Sequence, residues 1–160
     1  MPIRPATSDD WTAIWAVIEP IIRAGETYAL DPAMTEGQAR AYWLGPDRET
    51  FVMEDGGTVL GTYYLRANQA GGGSHVANCG YATAAAARGK GVARAMCEHS
   101  LTRAKERGFS AMQFNFVVAS NEAAVHLWKT MGFTIAGTLP GAFRHPRLGL
   151  VDALVMVRAL

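Results

Sequence analysis

The chain has 160 residues, of which 49% are hydrophobic, and a formal net charge of +1. That length suits one domain spanning residues 1–160, and so large an apolar fraction supports a packed core and excludes a disordered chain. A charge this close to zero leaves no general basic surface for nucleic acid or a membrane face, and no run of ~18 apolar residues offers a membrane span.

The apolar start from Ile3 to Pro5 reads as a first strand. Thr7-x-x-Asp10 has the form of a capping box, and Trp11, Ile14, Trp15, Ile18 and Ile22 follow at helical spacing, with Pro20 expected to disturb the end of that helix. Thr35-x-x-Gln38 opens a second, short helix that Gly45-Pro46 stops. Two β-rich runs, Thr50 to Glu54 and Thr58 to Leu65, flank Asp55-Gly56-Gly57 as a hairpin. After the Gly71–Gly73 loop, His75 to Thr83 reads as a strand. A long helix then runs from Gly89 or Lys90 to Arg107, with Val92, Met96 and Leu101 as its apolar stripe and Gly108 as its stop. Met112 to Val118 is a strand. Asn121 to Met131 is a helix with Ser120 as N-cap and Gly132 after its end. Phe133 to Thr138 and Val151 to Val157 are final strands, with a loop from Leu139 to Leu150 between them. The order β-α-α-β-β-β-α-β-α-β-β describes a mixed α/β domain.

Cys79 and Cys97 have no metal-ligand spacing and no C-x-x-C pairing. Both lie in apolar runs and read as buried thiols, with a disulfide as the alternative, and no metal is expected. The start Met1-Pro2-Ile3-Arg4 lacks the apolar stretch of a signal peptide, which makes the cytoplasm the expected compartment.

Arg88-Gly89-Lys90-Gly91-Val92-Ala93 carries the most chemical information. It lies between a strand and a long helix. Two glycines permit close backbone approach, the first helical amides are unpaired donors, and the dipole and two cations add positive charge. This favours a pyrophosphate; the bland alternative is a glycine turn with solvated basic residues. A Walker A loop is excluded because Gly91, not Ser or Thr, follows Lys90. A dinucleotide fingerprint is excluded because Arg94 holds the third glycine position.

Arg88-x-x-Gly91-x-Ala93, followed by Asn121-x-x-Ala124-x-x-Leu127-Trp128-x-x-x-Gly132-Phe133, resembles the GCN5-related N-acetyltransferase (GNAT) family. Glu26-Thr27-Tyr28 resembles its phosphinothricin-acetyltransferase-like branch. The resemblance implies a central, mostly antiparallel sheet with two splayed strands, flanked by helices. It also implies acetyl-CoA as cosubstrate, its diphosphate on the amides of Arg88, Gly89, Lys90, Gly91, Val92 and Ala93, and its pantetheine arm along Tyr81, Ala82 and Thr83. Asn121 would hydrogen-bond that arm; its alternative role is a helix cap. The expected reaction is direct attack by a small-molecule primary amine, such as an amino acid or analogue, in a ternary complex. The family also tilts the expectation towards a homodimer.

An amine of pKa ~10.4 must be delivered neutral, and the developing oxyanion needs a donor such as the Tyr81 N–H. Many family members present a tyrosine seven residues after the asparagine to protonate the leaving thiolate. Trp128 stands there, and an indole N–H is no useful acid. Trp128 then either hydrogen-bonds the sulfur or walls the acyl pocket. A thiol of pKa ~8.5 leaves readily as thiolate, so activity is still expected. His75 is the candidate base, with Glu26 and Tyr28 as acceptor-side candidates; packing or surface roles are the alternatives. Arg144, His145 and Arg147 crowd one loop, as a binding site for an acidic acceptor, an oligomer contact or a solvated loop. Two other functions compete: a protein acetyltransferase acting on a terminus or lysine, and a non-catalytic acyl-CoA sensor.

Overall fold

The computed structural model describes residues 2–160, so Met1, within the amino-terminal segment read above, lies outside the described residues. Seven strands form one sheet: β1 (Ile3–Pro5), β2 (Arg48–Asp55), β3 (Thr58–Ala67), β4 (Val76–Thr83), β5 (Ala111–Val118), β6 (Thr134–His145) and β7 (Gly149–Ala159). Their spatial order is β1-β2-β3-β4-β5-β7-β6, and every pairing is antiparallel except β4 with β5. Among the described residues there are also four α-helices, α1 (Trp11–Ala24), α2 (Glu36–Trp43), α3 (Val92–Glu106) and α4 (Glu122–Thr130), and three short 3-10 turns. The order of strands and helices matches the one expected from the sequence, and the mixed α/β class is as expected.

Period-two alternation in the central strands builds a core on each face of the sheet. Tyr63, Leu65, Ala77 and Cys79 point towards Met96, Cys97 and Leu101 of α3 and Trp128 of α4. Val52, Tyr64 and Ala82 point the other way, onto Ile14, Ile18 and Ile22 of α1 and Trp43 of α2. Both cysteines are free, and burial pushes the Cys79 thiol up to about 12 and that of Cys97 to about 11. They are packing groups, not nucleophiles. Gly56 and Gly57 both have positive φ, which a two-residue turn joining twisted strands requires.

Four local expectations need correction. Pro20 does not break α1, which continues to Ala24 and ends on Gly25 in the left-handed region. Pro20 and Ala16 lie on the exposed side, so water can satisfy the carbonyl that loses its partner. The N-cap of α4 is Asn121, whose Oδ1 accepts from the Ala124 N–H at 3.4 Å, and not Ser120. Residues 139–150 are not a loop. β6 and β7 form a long hairpin that turns only at residues 146–148, with an irregularity between Leu139 and Phe143 where Asp152 accepts from the Gly141 N–H. That side chain replaces the ladder bond lost around Pro140. The fourth, for His75, concerns the site.

The capping box at Thr7 opens a 3-10 turn, Ser8–Asp10, that leads into α1. Asp10 also takes two bonds from Arg4, each 2.8 Å long, which hold its carboxyl down at about 2. A carboxyl depressed in the fold contributes stability above its unfolded value of ~3.9 and loses it as pH falls towards 2. The melting temperature of the wild type is expected to drop more steeply between pH 4 and 2 than that of Asp10→Asn. Parallel pH curves would show that the pair contributes nothing.

Candidate active site

β4 and β5 pair only at Val76 with Ala111 and Ala77 with Met112. Beyond those two rungs they separate. The Asn78 side chain spans the start of the gap, Nδ2 donating to the Gln113 carbonyl at 2.9 Å. β5 departs further through a register shift between Phe114 and Val117. The bonds Asn68 N–H to Val76 O and Ala84 N–H to Leu60 O turn the even-numbered peptide groups of β4 towards β3. Those of Cys79, Tyr81 and Thr83 therefore face the gap, where β5 no longer meets them.

A cavity of about 710 Å³ occupies this gap. Of the residues singled out from the sequence, Glu26, Tyr28, Tyr81, Ala82, Thr83, Arg88, Ala93, Asn121 and Trp128 line it. Gly89, Lys90, Gly91 and Val92 continue the adjoining loop and the start of α3, with Gly91 as its N-cap. Gly89 and Gly91 have φ of 75° and 79°, and a Cβ at either would meet nothing within 4 Å. Glycine is there for its backbone conformation, and it leaves open space over the helix amides. The loop, the strand edge that β5 leaves unpaired and Asn121 are a donor set that fits a diphosphate joined to an amide-bearing arm.

One face of the cavity is an aromatic wall. The Trp128 ring lies 5.1 Å from Tyr81 and 4.9 Å from Phe114, and Phe114 stacks on Phe133 at 4.3 Å. Ser100 donates to the Cys97 carbonyl, so the Tyr81 hydroxyl donates to Ser100 Oγ, 2.7 Å away. Burial raises the Tyr81 phenol well above its ordinary value. Its side chain is therefore a packing group, and only its peptide group is available to the gap.

The opposite face carries polar groups. Tyr28, likewise raised by burial, donates its hydroxyl to the Tyr81 carbonyl. Glu26 pairs with Arg147, tying the segment after α1 to the tip of the β6–β7 hairpin. Phe143 of that hairpin packs on Phe116 of the cavity wall. Tyr42, Tyr64, Arg66, Asn78, Asn115 and Phe116 complete this side, and none was singled out as a site residue from the sequence. The usable signal was polarity inside apolar strands: Asn78 stands in an otherwise apolar run, and Arg66 interrupts the end of β3.

Three expected residues lie elsewhere. His75 is exposed on the turn before β4, at the closed end of the gap, and does not line the cavity. It is thus set apart from the other candidate residues, and its carbonyl accepts the Ser110 N–H. Arg144 is exposed on β6, away from the cavity lining. His145 is buried and its Nδ1 accepts from the N–H groups of Arg147 and Leu148, so it shapes the hairpin turn. Charge density along the chain pointed to this loop, but strand alternation and pairing send its cations elsewhere. Among the described residues, no group of three or more His, Cys, Asp or Glu is placed to hold a metal ion, and no helix is long and apolar enough to cross a membrane.

The family model of the acetyltransferase (GNAT) family matches residues 11–133. N-acetyltransferase aca1 of Schizosaccharomyces pombe is 30% identical over 151 residues, covering 84% of this chain and 72% of that protein. The structure of a GCN5-related N-acetyltransferase from Kribbella flavida superposes with a TM-score of 0.95 at 47% identity, over 99% of this chain and 97% of the other. A phosphinothricin acetyltransferase from Sinorhizobium meliloti, solved in complex with AcCoA, reaches 0.86 at 19% identity, over 99% and 88% of the two chains, a likeness of fold alone. On the family model and the first two of these relatives, the chain belongs to the GNAT family and is an acetyl-CoA-dependent N-acetyltransferase.

Proposed function

We propose that the protein acetylates the primary amine of a small molecule carrying a carboxylate, such as an amino acid or analogue, by direct attack in a ternary complex. The observation that carries this reading is the distribution of charge along the cavity. Its cations are Arg66 and Arg88 and its one carboxylate is Glu26. Arg66 pairs in register with Asn78, whereas Arg88 follows Thr83. Five residue steps along β4 separate Asn78 from Thr83, about 17 Å at the usual rise. Arg88 belongs to the diphosphate loop. Arg66, held by Asp47 at 3.8 Å and by Asn78 Oδ1 at 3.4 Å, is the cation at the other end and is assigned to an anionic group on the acceptor.

On this reading Arg88 to Ala93 hold the diphosphate, and the peptide groups of Tyr81 and Thr83, with Asn121, hold the pantetheine arm. The Tyr81 N–H serves the developing oxyanion. Trp128 is the wall of the acyl site, and the thiolate leaves without a side-chain acid. Glu26 accepts a proton or hydrogen bond from the incoming ammonium, while Tyr28 fixes the strand edge beside it. The hairpin cations Arg144 and Arg147 are left to the surface. The exposed Ile135, Leu139, Leu148 and Leu150 on the same hairpin support association of two copies there. Residues 1–160 act as one domain.

The test is thiol release from acetyl-CoA across amino acids, polyamines and amino-terminal peptides. Turnover confined to amino acids is the expected result; turnover confined to peptides would make the enzyme a protein acetyltransferase instead. With the best acceptor, Glu26→Gln is expected to lower kcat/KM by about 10²-fold, the lower end for a lost general base. Arg147→Ala should remain within a few-fold of wild type. Unchanged kinetics in Glu26→Gln would leave proton removal to water.

A further inference from the structure

Trp128, Phe114 and the Tyr81 ring close one face of the gap, so an acceptor reaches the edge of β4 from the other face. Tyr64 lies there, and its ring crosses β4 directly over Gly80. A Cβ added to Gly80 would stand 2.5 Å from Tyr64 Cε2 and 2.7 Å from both Cζ and Oη. Gly80 does not have positive φ. Glycine is needed at this position for the space the phenol fills, not for backbone conformation. The hydroxyl is thereby brought beside the Gly80–Tyr81 peptide, whose N–H faces the gap.

Three contacts hold the phenol in place. Its hydroxyl shares a 3.1 Å hydrogen bond with that of Tyr42, and its ring meets Trp43 edge-on at 5.0 Å. Behind both tyrosines is Arg48, whose guanidinium carbon lies 4.6 Å from the Tyr64 ring centroid and 4.9 Å from that of Tyr42. The Arg48 side chain is only 7% exposed. Nε and Nη2 are bound to Asp47, and Nη1 is buried with no oxygen or nitrogen acceptor. A buried cation without that acceptor is costly, and the ring faces are the electron-rich groups that offset it. Arg48 does not line the cavity. It acts on the cavity through the two phenols.

We propose that Tyr64 orients the acceptor nitrogen, and that Arg48 and Gly80 position Tyr64 for it. This rests on the acetyl-transfer reading above and adds the group that aims the nucleophile. Burial keeps the Tyr64 phenol protonated, with its pKa raised far above the ordinary value, so it is not a base. Either hydroxyl can donate in the bond to Tyr42, and with Tyr64 as the donor its oxygen keeps lone pairs that accept an N–H of the neutral amine. That contact turns the nitrogen lone pair towards the thioester carbonyl. Orientation of this kind governs how often a bound amine is in a reactive pose.

The test uses the full chain, acetyl-CoA and whichever member of the acceptor panel turns over fastest. Tyr64→Phe keeps the ring and removes the oxygen. It is expected to lower kcat/KM for the acceptor about tenfold, with the KM for acetyl-CoA and the melting temperature near wild type. Gly80→Ala should give a similar acceptor defect in the wild type and little further loss in a Tyr64→Ala background, where the added methyl has no ring to strike. Arg48→Met should follow Tyr64→Phe, with Arg48→Lys in between, because an ammonium retains the charge but not the planar stack. Unchanged acceptor kinetics in Tyr64→Phe would overturn the proposal, as would an equal rise in the KM for acetyl-CoA. Gly80→Ala costing as much without the ring as with it would also overturn it. If the wild type turns over only peptides or polyamines, the acceptor class falls, and the same variants decide the role of Tyr64 with that acceptor. If the wild type turns over nothing on the panel, both readings fall together.

Discussion

Gly91→Val is expected to raise the KM for acetyl-CoA by about a hundredfold or more, with a much smaller effect on the KM for the acceptor. Gly91 is the N-cap of α3 and holds φ of 79°, where a β-branched residue is strongly disfavoured. Nothing crowds its Cβ position, so the defect does not arise from collision within the protein. Restoring ordinary φ instead rotates the peptide groups of the loop and redirects the amides proposed to hold the diphosphate. Misplacing binding groups by about 1 Å is enough for a 10²-fold loss. Gly91→Ala, with a single methyl and a smaller conformational cost, should fall between the two. Initial-rate kinetics in each substrate separates the effects. An acetyl-CoA KM within a few-fold of wild type in Gly91→Val would move the diphosphate off this loop.

Trp128→Ala should be the most damaging change to the protein as a whole. The indole is 9% exposed and packs against Tyr81, Phe114 and Phe133. Truncating a buried tryptophan costs ~3–5 kcal/mol, a large part of the stability of a small domain. Denaturant unfolding measures this directly. Trp128→Phe separates packing from chemistry, because it keeps an aromatic wall and removes the N–H. If the wall is what matters, Trp128→Phe retains activity within about tenfold and its pH–rate profile keeps the wild-type shape. If the indole N–H stabilises the departing sulfur, kcat falls by ~10²-fold at unchanged acetyl-CoA affinity.

The order of elements could be read from the sequence because its signals are local. Apolar residues recur with clear helical or strand periods, and glycines stand at the turns, as at Gly25, Gly56-Gly57 and Gly108. The β6–β7 hairpin misled that reading. Pro140, Gly141 and Pro146 are ordinary turn residues, and only the reach of Asp152 to the Gly141 N–H shows that the strand passes through two of them. The segments proposed to hold the cofactor stand out in the sequence as clearly, since they are a continuous loop, one strand edge and one helix start. Those proposed for the acceptor do not. Tyr42, Tyr64, Arg66, Asn78 and Asn115 come from four separate elements, and each looks unremarkable in its own segment. His75 had the right chemistry but the wrong end of its strand, and Arg147 is matched by Glu26 from a distant part of the chain. Such pairings are tertiary facts that no local pattern carries.

The narrow junction between β4 and β5 also governs how the molecule yields under strain. Two ladder rungs, the Ser110 N–H bond to the His75 carbonyl and the side-chain amides of Asn78 and Asn115 join the sheet's halves near that end. The covalent link between them is the crossover through α3, which leaves the open end of β4 and returns to the closed end of β5. The slot can therefore widen or narrow by a small rotation about its closed end, as the blades of a pair of tongs turn on their pivot. Neither the hairpins within each half nor the packing of α1 and α2 on β3 need be disturbed. The packing of Tyr81 on Phe114 and Trp128 props the gap on one face, and an arm bonded to the free edge of β4 would act as a spacer as well as a substrate.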